Sequence, residues 1–460
     1  MKNKFIYLSV LSSMAVNSLL FGQCFKKIST QWETVIALNE DGNIWEWGSN
    51  NDGQLGLGTY NYTDKNIPFQ LTTSNDWKDV ISSHSGTMAL KNDGTLWGWG
   101  YGGHGELGNN SASYVFIPSP TGTNEWDRIF AGLFTNCGIK TNGTLWMWGT
   151  GFNGQLGNGA TPINTLVPVQ VGTDTDWKLV AMGQYHTIAL KNNGTLWAWG
   201  GNALGQLGIG NNIDVSIPHQ IGTENDWKAI STTIYHNLAL KTNGTLWAWG
   251  GNAYGEIGDG STVPKNMPIQ IGNDNNWKAI ETSSYGSFAI KNDGSLWAWG
   301  DNSLGQLGDG TTISRSVPVK IGNSNDWKSI ECGGGNCIGT KQDNSLWTWG
   351  FNDAGQLGNG TFVNSGTPSM IMNACSFLGT KNSISSDQNI IIYPNPVSDI
   401  LYFSKEIKNL KIYTVTGILI KNILNVNSRT INLQPLHSGI YFIDALTTEG
   451  NNMKEKIIKK

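Results

Sequence analysis

The stretch Trp197-Ala-Trp-Gly-Gly-Asn-Ala-Leu-Gly-Gln-Leu-Gly208 decides how this chain is read. Its opening Trp-x-Trp-Gly occurs seven times, starting at Trp45, Trp97, Trp146, Trp197, Trp247, Trp297 and Trp347. Successive starts lie 52, 49, 51, 50, 50 and 50 residues apart. Twenty residues before each start stands an aromatic residue, Phe25 in the first repeat and Trp77, Trp126, Trp177, Trp227, Trp277 and Trp327 in the rest. Gly-(Gln/Glu)-(Leu/Ile)-Gly follows each motif, and a proline follows that, from Pro68 to Pro368. A fixed period near 50 marks a repeat architecture, in which one unit cannot bury its own faces and stacks on its neighbours.

Each unit holds four strand-like pieces. In the fourth these are Pro168–Val171 (A), Trp177–Val180 (B), Thr187–Leu190 (C) and Leu196–Trp199 (D), with Asn193-Gly194 as a two-residue hairpin between C and D. Four strands in each of seven repeats predict an all-β fold, a seven-bladed β-propeller over residues 24–375. Trp197 and Trp199 are two apart, so both rings leave one face of strand D and fill the gap to the next blade. The first repeat opens on strand B and the last closes on strand A. This register predicts a closing blade made of B, C and D from the N-terminus and A from the C-terminus. Phe25 and Phe377 then compete for one aromatic slot, which Phe25 is expected to hold.

Trp-x-Trp-Gly-x-Asn-x-x-Gly-Gln-Leu-Gly resembles the regulator of chromosome condensation repeat. His186-Thr-Ile-Ala-Leu and His236-Asn-Leu-Ala-Leu resemble that family's His-Thr-x-Ala-Leu strand, although the other repeats carry Thr34, Gly86, Thr135, Gly286 and Asn336 in place of the histidine. The resemblance implies the propeller fold. The family's eukaryotic founder is a nucleotide exchange factor that binds chromatin, an activity that does not suit an exported acidic chain. A secreted bacterial propeller of this class inhibits β-lactamases through an aromatic face, which implies a protein-binding role.

Composition agrees with a packed β-protein. Of 460 residues 59 are Gly and 21 are Trp, and only 14% are charged, which excludes an extended disordered chain. Residues 24–379 carry 18 basic and 28 acidic residues. A body at −10 repels phosphate backbones, so no nucleic-acid partner is expected.

Both ends read as addresses. Lys2 and Lys4 precede a short apolar run, and residues 1–23 are read as a secretory signal peptide. No other segment is long and apolar enough to span a membrane. Residues 376–388 are a Ser- and Asn-rich linker. Residues 389–460 carry Tyr393-Pro394-Asn395-Pro396, Gly417, Gly439-Ile-Tyr441 and Lys456 in a set of about seven short strands, expected as a small β-sandwich. Their order resembles the type A sorting domain of the type IX secretion system. That implies the secretion machinery as a partner, and release from or attachment to the outer surface of a Gram-negative cell. In an exported chain a Cys24–Cys375 disulfide is expected to lock the ring, and a Cys332–Cys337 disulfide to close a B–C hairpin, leaving Cys137 as a buried thiol.

Connections in a four-strand meander alternate between the two ends of the propeller. A–B and C–D turns share one end and read as solvated turns. B–C turns and D–A loops share the other end, where aromatic and apolar residues gather. The B–C turns offer Trp32, Phe134, Tyr185, Tyr235 and Tyr285. The D–A loops offer Tyr101, His104, Phe152, Leu204, Tyr254, Leu304 and Phe351. Rigid rings bury area at low entropic cost, so this face is expected to bind an unidentified extracellular protein. Channel packing is the alternative role for the B–C residues. A glycan is the second class of partner, and a secreted hydrolase the third reading. No catalytic motif, cofactor or metal-ligand spacing is found. His186 and His236 read as hydrogen-bonded strand residues, and a monomer is expected.

Overall fold

β-Branched and aromatic runs bounded by glycine turns become strands where the sequence places them. The computed structural model describes residues 25–58, 61–72, 74–122, 125–161 and 163–372 of the repeat region. Beyond it, residues 392–393, 397, 399–414, 419–425, 427–449 and 452–459 are described. Seven antiparallel four-stranded sheets follow one another along the repeats. The fourth consists of Trp177–Met182, His186–Lys191, Leu196–Gly200 and Val215–Gln220, paired in that order. Strand B is innermost and neighbours the B strands of the blades on either side, so the seven B strands form a ring. In the fourth blade strand C is wholly buried, and strand A is the half-exposed outer edge.

Blades stack through unlike faces. Between blades three and four, Cys137, Ile139, Met147 and Leu156 of one meet Trp177, Val180 and Trp199 of the next. The second Trp of every Trp-x-Trp is fully buried. Burying one such side chain contributes about 1.5–3 kcal/mol, and the ring repeats the burial at every seam.

The closing blade differs from the expectation. Blade one is contiguous, Phe25–Gln31, Thr34–Asn39, Ile44–Gly48 and Lys65–Gln70, and so is blade seven, Trp327–Cys332, Asn336–Lys341, Leu346–Gly350 and Ser365–Met372. Strand A pairs with the open edge of the D strand before it, for example Trp146 opposite Gln170. A chain that opens on B and closes on A therefore completes seven blades without exchanging a strand. The ring closes by packing blade seven against blade one, with their B strands adjacent as at the other seams. Trp47 Nε1 donates to the Gln356 carbonyl at 3.0 Å, the bond that Trp199 Nε1 makes to Gln155 O at 2.9 Å and Trp349 Nε1 to Gln306 O at 3.1 Å. Gly360 N donates to Asn66 O at 2.8 Å, and Asn336 Nδ2 to Thr30 Oγ1 at 3.1 Å. The last glycine of Gly-Gln-Leu-Gly makes room for this contact. Gly358 has φ +65°, and a Cβ there would lie 2.8 Å from Trp47 Nε1. Phe25 holds the aromatic slot beside Trp45 and Trp47, at ring centroid distances of 6.2 and 6.4 Å. Phe377 lies outside the described residues.

The C-terminal unit is one curled six-stranded sheet rather than two separate layers. Its long strand Ile400–Thr414 pairs with Ile392–Tyr393 and Ser428–Asn432 through its first half, and with Leu419–Ile423 and Gly439–Thr447 through its second. Gly439–Thr447 also pairs with Asn452–Lys459. The curl encloses Leu401, Phe403, Leu410, Ile412 and Ile443, so one sheet supplies both walls of the core.

Candidate functional site

Five of the seven D–A loops are tied by the Asn of Trp-Gly-x-Asn; blades two and three carry Gly102 and Gly151 at that position. Asn202 Nδ2 donates to the carbonyls of Asn211 (2.9 Å) and Ile213 (3.1 Å), while its Oδ1 accepts from Leu207 N (2.9 Å). Gln206 Oε1 accepts from Leu204 N at 2.8 Å. Asn252, Asn302 and Asn352 repeat the arrangement. The residue between them is turned outward: Tyr254 and Leu304 are exposed and Leu204 is half-buried. Phe152 is also exposed, and Phe351 is half-buried beside the Gly333–Gly335 turn.

The B–C turns follow the innermost strands, and Trp32, Phe134, Tyr185, Tyr235 and Tyr285 stand half-buried there. Trp32 adopts φ 58°, which brings it over the glycine turn of blade seven. A Cβ on Gly334 would lie 3.0 Å from its ring, and Gly334 N donates to Trp32 O at 3.1 Å.

The predicted residues fall into two groups. In the first, Trp32, His84 and Phe134 follow one another at 5.0 Å each, and Phe134 meets His104 at 6.4 Å. His104 meets Tyr101 at 5.6 Å, and Tyr101 meets Tyr114 at 5.2 Å. Tyr114 stacks on Phe116 at 5.8 Å, and Phe116 meets Tyr62 at 6.0 Å. Eight rings thus run from the innermost turns to the outer edge of blade two. His84, Tyr62, Tyr114 and Phe116 escaped sequence reasoning; the departure of blade two from the repeat consensus at His84 and Tyr114 was the available signal. In the second group Tyr185 meets Tyr235 at 6.2 Å, and Tyr254 meets Tyr285 at 4.9 Å. Phe152, Leu204, Leu304 and Phe351 join neither row of rings.

The field on this face is negative. Burial, then the charges of Asp64 and Asp353, hold Glu33 above the usual carboxyl range. Burial raises Tyr101, with Glu106 adding to it, and raises Tyr285, with Tyr235, Tyr254, Glu256 and Asp301 adding. Burial lowers His84.

The opposite end is more than solvated turns. Six C strands end in a Lys seated between two tryptophans. Lys191 Nζ is 4.8 Å from the Trp177 ring and 4.5 Å from the Trp197 ring, and 2.7 Å from Asp174 in the A–B turn. Lys241 and Lys291 repeat this with Glu224 at 2.9 Å and Asp274 at 2.7 Å. Turn composition alone hides the device, because the Lys is 15–17 residues from its acid.

His186 and His236 are structural. His186 Nε2 meets Asn237 Oδ1 at 2.8 Å, and His236 Nε2 meets Ser287 Oγ at 3.0 Å, each stitching a C strand to the next blade. Burial lowers His186 to about 4 and His236 to about 3. A carboxylate pair absent from the sequence reading does occur, on the inner strands: Glu281 and Glu331 hold the same position of adjacent B strands. Burial and then Glu331 raise Glu281 well above its ordinary value, and burial raises Glu331 to about 7 against the charge of Lys27. Counting along strand B would have aligned them. Among the described residues no three His, Cys, Asp or Glu are grouped to hold a metal, and no helix is long and apolar enough to cross a membrane.

Cys332 and Cys337 are disulfide-bonded across their hairpin, and Cys137 is a buried thiol. Cys24 and Cys375 lie outside the described residues, as do Pro394, Asn395, Pro396 and Gly417 of the sorting motifs. Tyr393 is the second residue of the first strand of the C-terminal sheet and pairs with Tyr402, and Phe442 pairs with Lys456. Beside Gly439, the Tyr441 hydroxyl donates to His437 O at 2.8 Å.

Comparison with known proteins agrees with this geometry. Residues 12–280 match the RCC1-like domain, and residues 277–306, 293–339 and 343–384 match regulator of chromosome condensation (RCC1) repeats. Residues 391–460 match the secretion system C-terminal sorting domain. The ultraviolet-B receptor UVR8 of Arabidopsis thaliana is 30% identical over 201 residues, 42% of this chain and 45% of that protein. The probable E3 ubiquitin-protein ligase HERC6 of Homo sapiens is 31% identical over 194 residues, 39% of this chain and 19% of that protein. The chain thus matches less than half the length of these relatives. Human WBSCR16 superposes with a TM-score of 0.63 at 21% identity, covering 72% of this chain and 94% of that one. Yeast RCC1 (Prp20), in its structure with Kap60, gives 0.64 at 20% identity, covering 78% and 86%. These likenesses show the fold.

Proposed function

This chain belongs to the RCC1-like domain family and ends in a secretion-system sorting domain, and from that premise we propose that it is an exported binding protein whose B–C/D–A face engages another protein. The sorting domain points to secretion or attachment to the outer surface in bacteria of the Bacteroidetes, and it implies the type IX machinery as a second partner. The observation that carries the reading is the row of rings from Trp32 to Tyr62. Tyr62 and Tyr114 in that row are 47% and 46% exposed, and Phe152, Tyr254 and Leu304 add exposed apolar area on the same face. Tyr62, Tyr254 and Leu304 stand on loops stapled by Asn50, Asn252 and Asn302, so little ordering entropy opposes association there.

The test is capture from host or community extracts with the full chain as bait. Two variants serve as controls, Tyr185→Ala/Tyr235→Ala/Tyr285→Ala and Tyr62→Ala/Tyr101→Ala/Tyr114→Ala, each checked for folding by tryptophan fluorescence. A protein retained by wild type and lost by either variant supports the reading. Equal capture by all three baits refutes it and moves the aromatics to a packing role.

A further inference from the structure

The face has a charge pattern that aromatic content does not require. Between the strands, the B–C turns and D–A loops together hold ten Asp and Glu and no Lys or Arg. The repeat region as a whole carries 18 basic and 28 acidic residues between 24 and 379, so these loops account for its entire excess of ten. Lys265 and Arg315, at the starts of two flanking A strands, are paired with Asp259 at 2.8 Å and Asp309 at 2.7 Å. Around Trp32 no such pairing occurs. Among the described residues, the carboxyls of Glu33, Asp52 and Asp353 make no hydrogen bond or ion pair. Glu33 follows Trp32 directly and lies within the electrostatic reach of Asp64 and Asp353, while Asp52 acts on His84 and Tyr101 in the ring row.

The other end of the same propeller shows what rings and carboxylates do together in this chain. There, two tryptophans and an acid hold a Lys ammonium in each of six blades, as at Lys191. On the B–C/D–A face rings and carboxylates recur, and although Lys65, Lys265 and Arg315 begin A strands there, no described Lys or Arg is seated on a ring of the row from Trp32 to Tyr62. We propose that this face takes a cationic partner: a protein that presents a Lys- or Arg-rich segment, one basic side chain of which sits against Trp32 between Glu33 and Asp353. An ammonium or guanidinium over an aromatic face beside unpaired carboxylates gains both cation–π attraction and ion pairing. An acid-only rim also speeds encounter with a basic patch and repels acidic competitors. This inference rests on the reading of the face as a protein-binding surface and adds the chemistry of the partner.

The experiment uses the full chain with fluorescein-labelled decalysine and decaglutamate, read by fluorescence anisotropy at 50 and 300 mM NaCl. Two variants remove equal charge from opposite ends. Glu33→Gln/Asp52→Asn/Asp353→Asn alters the face, and Glu40→Gln/Asp41→Asn/Asp93→Asn alters exposed C–D hairpins. A third, Trp32→Ala, removes the platform. Decalysine is expected to bind the wild type at 50 mM NaCl and weaken with salt, with decaglutamate inert. The face variant should lose at least tenfold in affinity, the hairpin variant less than twofold, and Trp32→Ala at least threefold. Equal losses in the two charge variants, or no decalysine binding at 50 mM NaCl, overturn the inference. If extract capture depends on the tyrosines but not on Glu33, Asp52 and Asp353, the protein-binding reading stands and the cationic partner falls. If capture ignores the tyrosines, the binding reading itself falls.

Discussion

Glu46 is the most informative residue to replace. It stands inside Trp45-Glu-Trp47, where the other repeats carry Gly98, Met147, Ala198, Ala248, Ala298 and Thr348, and it is fully buried. Neither carboxyl oxygen has a hydrogen bond of normal geometry. Burial lifts it well above the usual carboxyl value, and the nearby Trp99 indole and Thr87 hydroxyl oppose the rise only in part. The folded chain therefore keeps a proton that the unfolded chain releases above about pH 4.5. Stability falls by ~1.4 kcal/mol for each pH unit from there up to the raised value, and levels off beyond it. A buried polar group without partners costs a further ~1–3 kcal/mol at any pH. Glu46→Met keeps the volume and uses the residue that blade three buries at Met147. The variant should be more stable by about 1–3 kcal/mol at pH 4.5, and the gain should grow as pH rises. Urea unfolding followed by tryptophan fluorescence at pH 4.5, 6.0 and 7.5 reads the propeller alone, because every Trp lies at or before position 349. Glu46→Gln should abolish the extra pH slope while leaving the unpaired amide. A gain that does not change between pH 4.5 and 7.5, or a destabilised Met variant, would refute the reasoning.

Three further outcomes are expected. His186, held near 4, refuses the proton that the unfolded chain accepts below its ordinary 6.5; stability present above pH 6.5 is lost on acidification toward pH 4, by ~1.4 kcal/mol per unit. His186→Asn, the residue blade seven uses at Asn336, should make that acid limb shallower in denaturant titrations at pH 4.5 and 6.5, leaving the share that His236, held near 3, contributes over the same range. Gly358→Ala, at φ +65° and against Trp47, should cost about 2–4 kcal/mol through strain and the lost Trp47–Gln356 bond; Gly366→Ala, with no atom within 4 Å of its Cβ, should leave the thermal midpoint near wild type. Non-reducing peptide mapping should recover Cys24 joined to Cys375, and loss of that link should cost on the order of 4–5 kcal/mol; two free thiols in the oxidised, exported protein would end the idea.

Most of the fold is legible because its determinants are local and repeated. Asn193-Gly194 needs only its own backbone to turn, and the 50-residue period of Trp-x-Trp-Gly announces stacking before any contact is known. Parity of a meander then places Trp32, Tyr185 and Tyr254 at one end. The closing blade was misread because pairing is a choice between two edges: Pro368 and its neighbours could serve the strand before or the strand after, and sequence order does not say which. The pair Glu281 and Glu331 was missed because equal positions of adjacent B strands lie fifty residues apart in the chain and were not compared.

By itself the sequence determined the propeller, its seven blades, the C-terminal sorting domain and which end carries the aromatics. These follow from periods of two and of fifty, set by backbone geometry and by burial of faces that cannot stand alone. Tertiary structure alone decided how the ring closes, which rings touch, and which charges are already paired. Those depend on distances between residues far apart in the chain: Trp47 finds Gln356, Lys191 finds Asp174 and two indoles, and Trp32 finds Gly334 and His84, while Glu33 and Asp353 find no cation among the described residues. Coulomb energy and packing act through space, so the unpaired carboxylates beside Trp32 emerge only once the seven blades are closed into a ring.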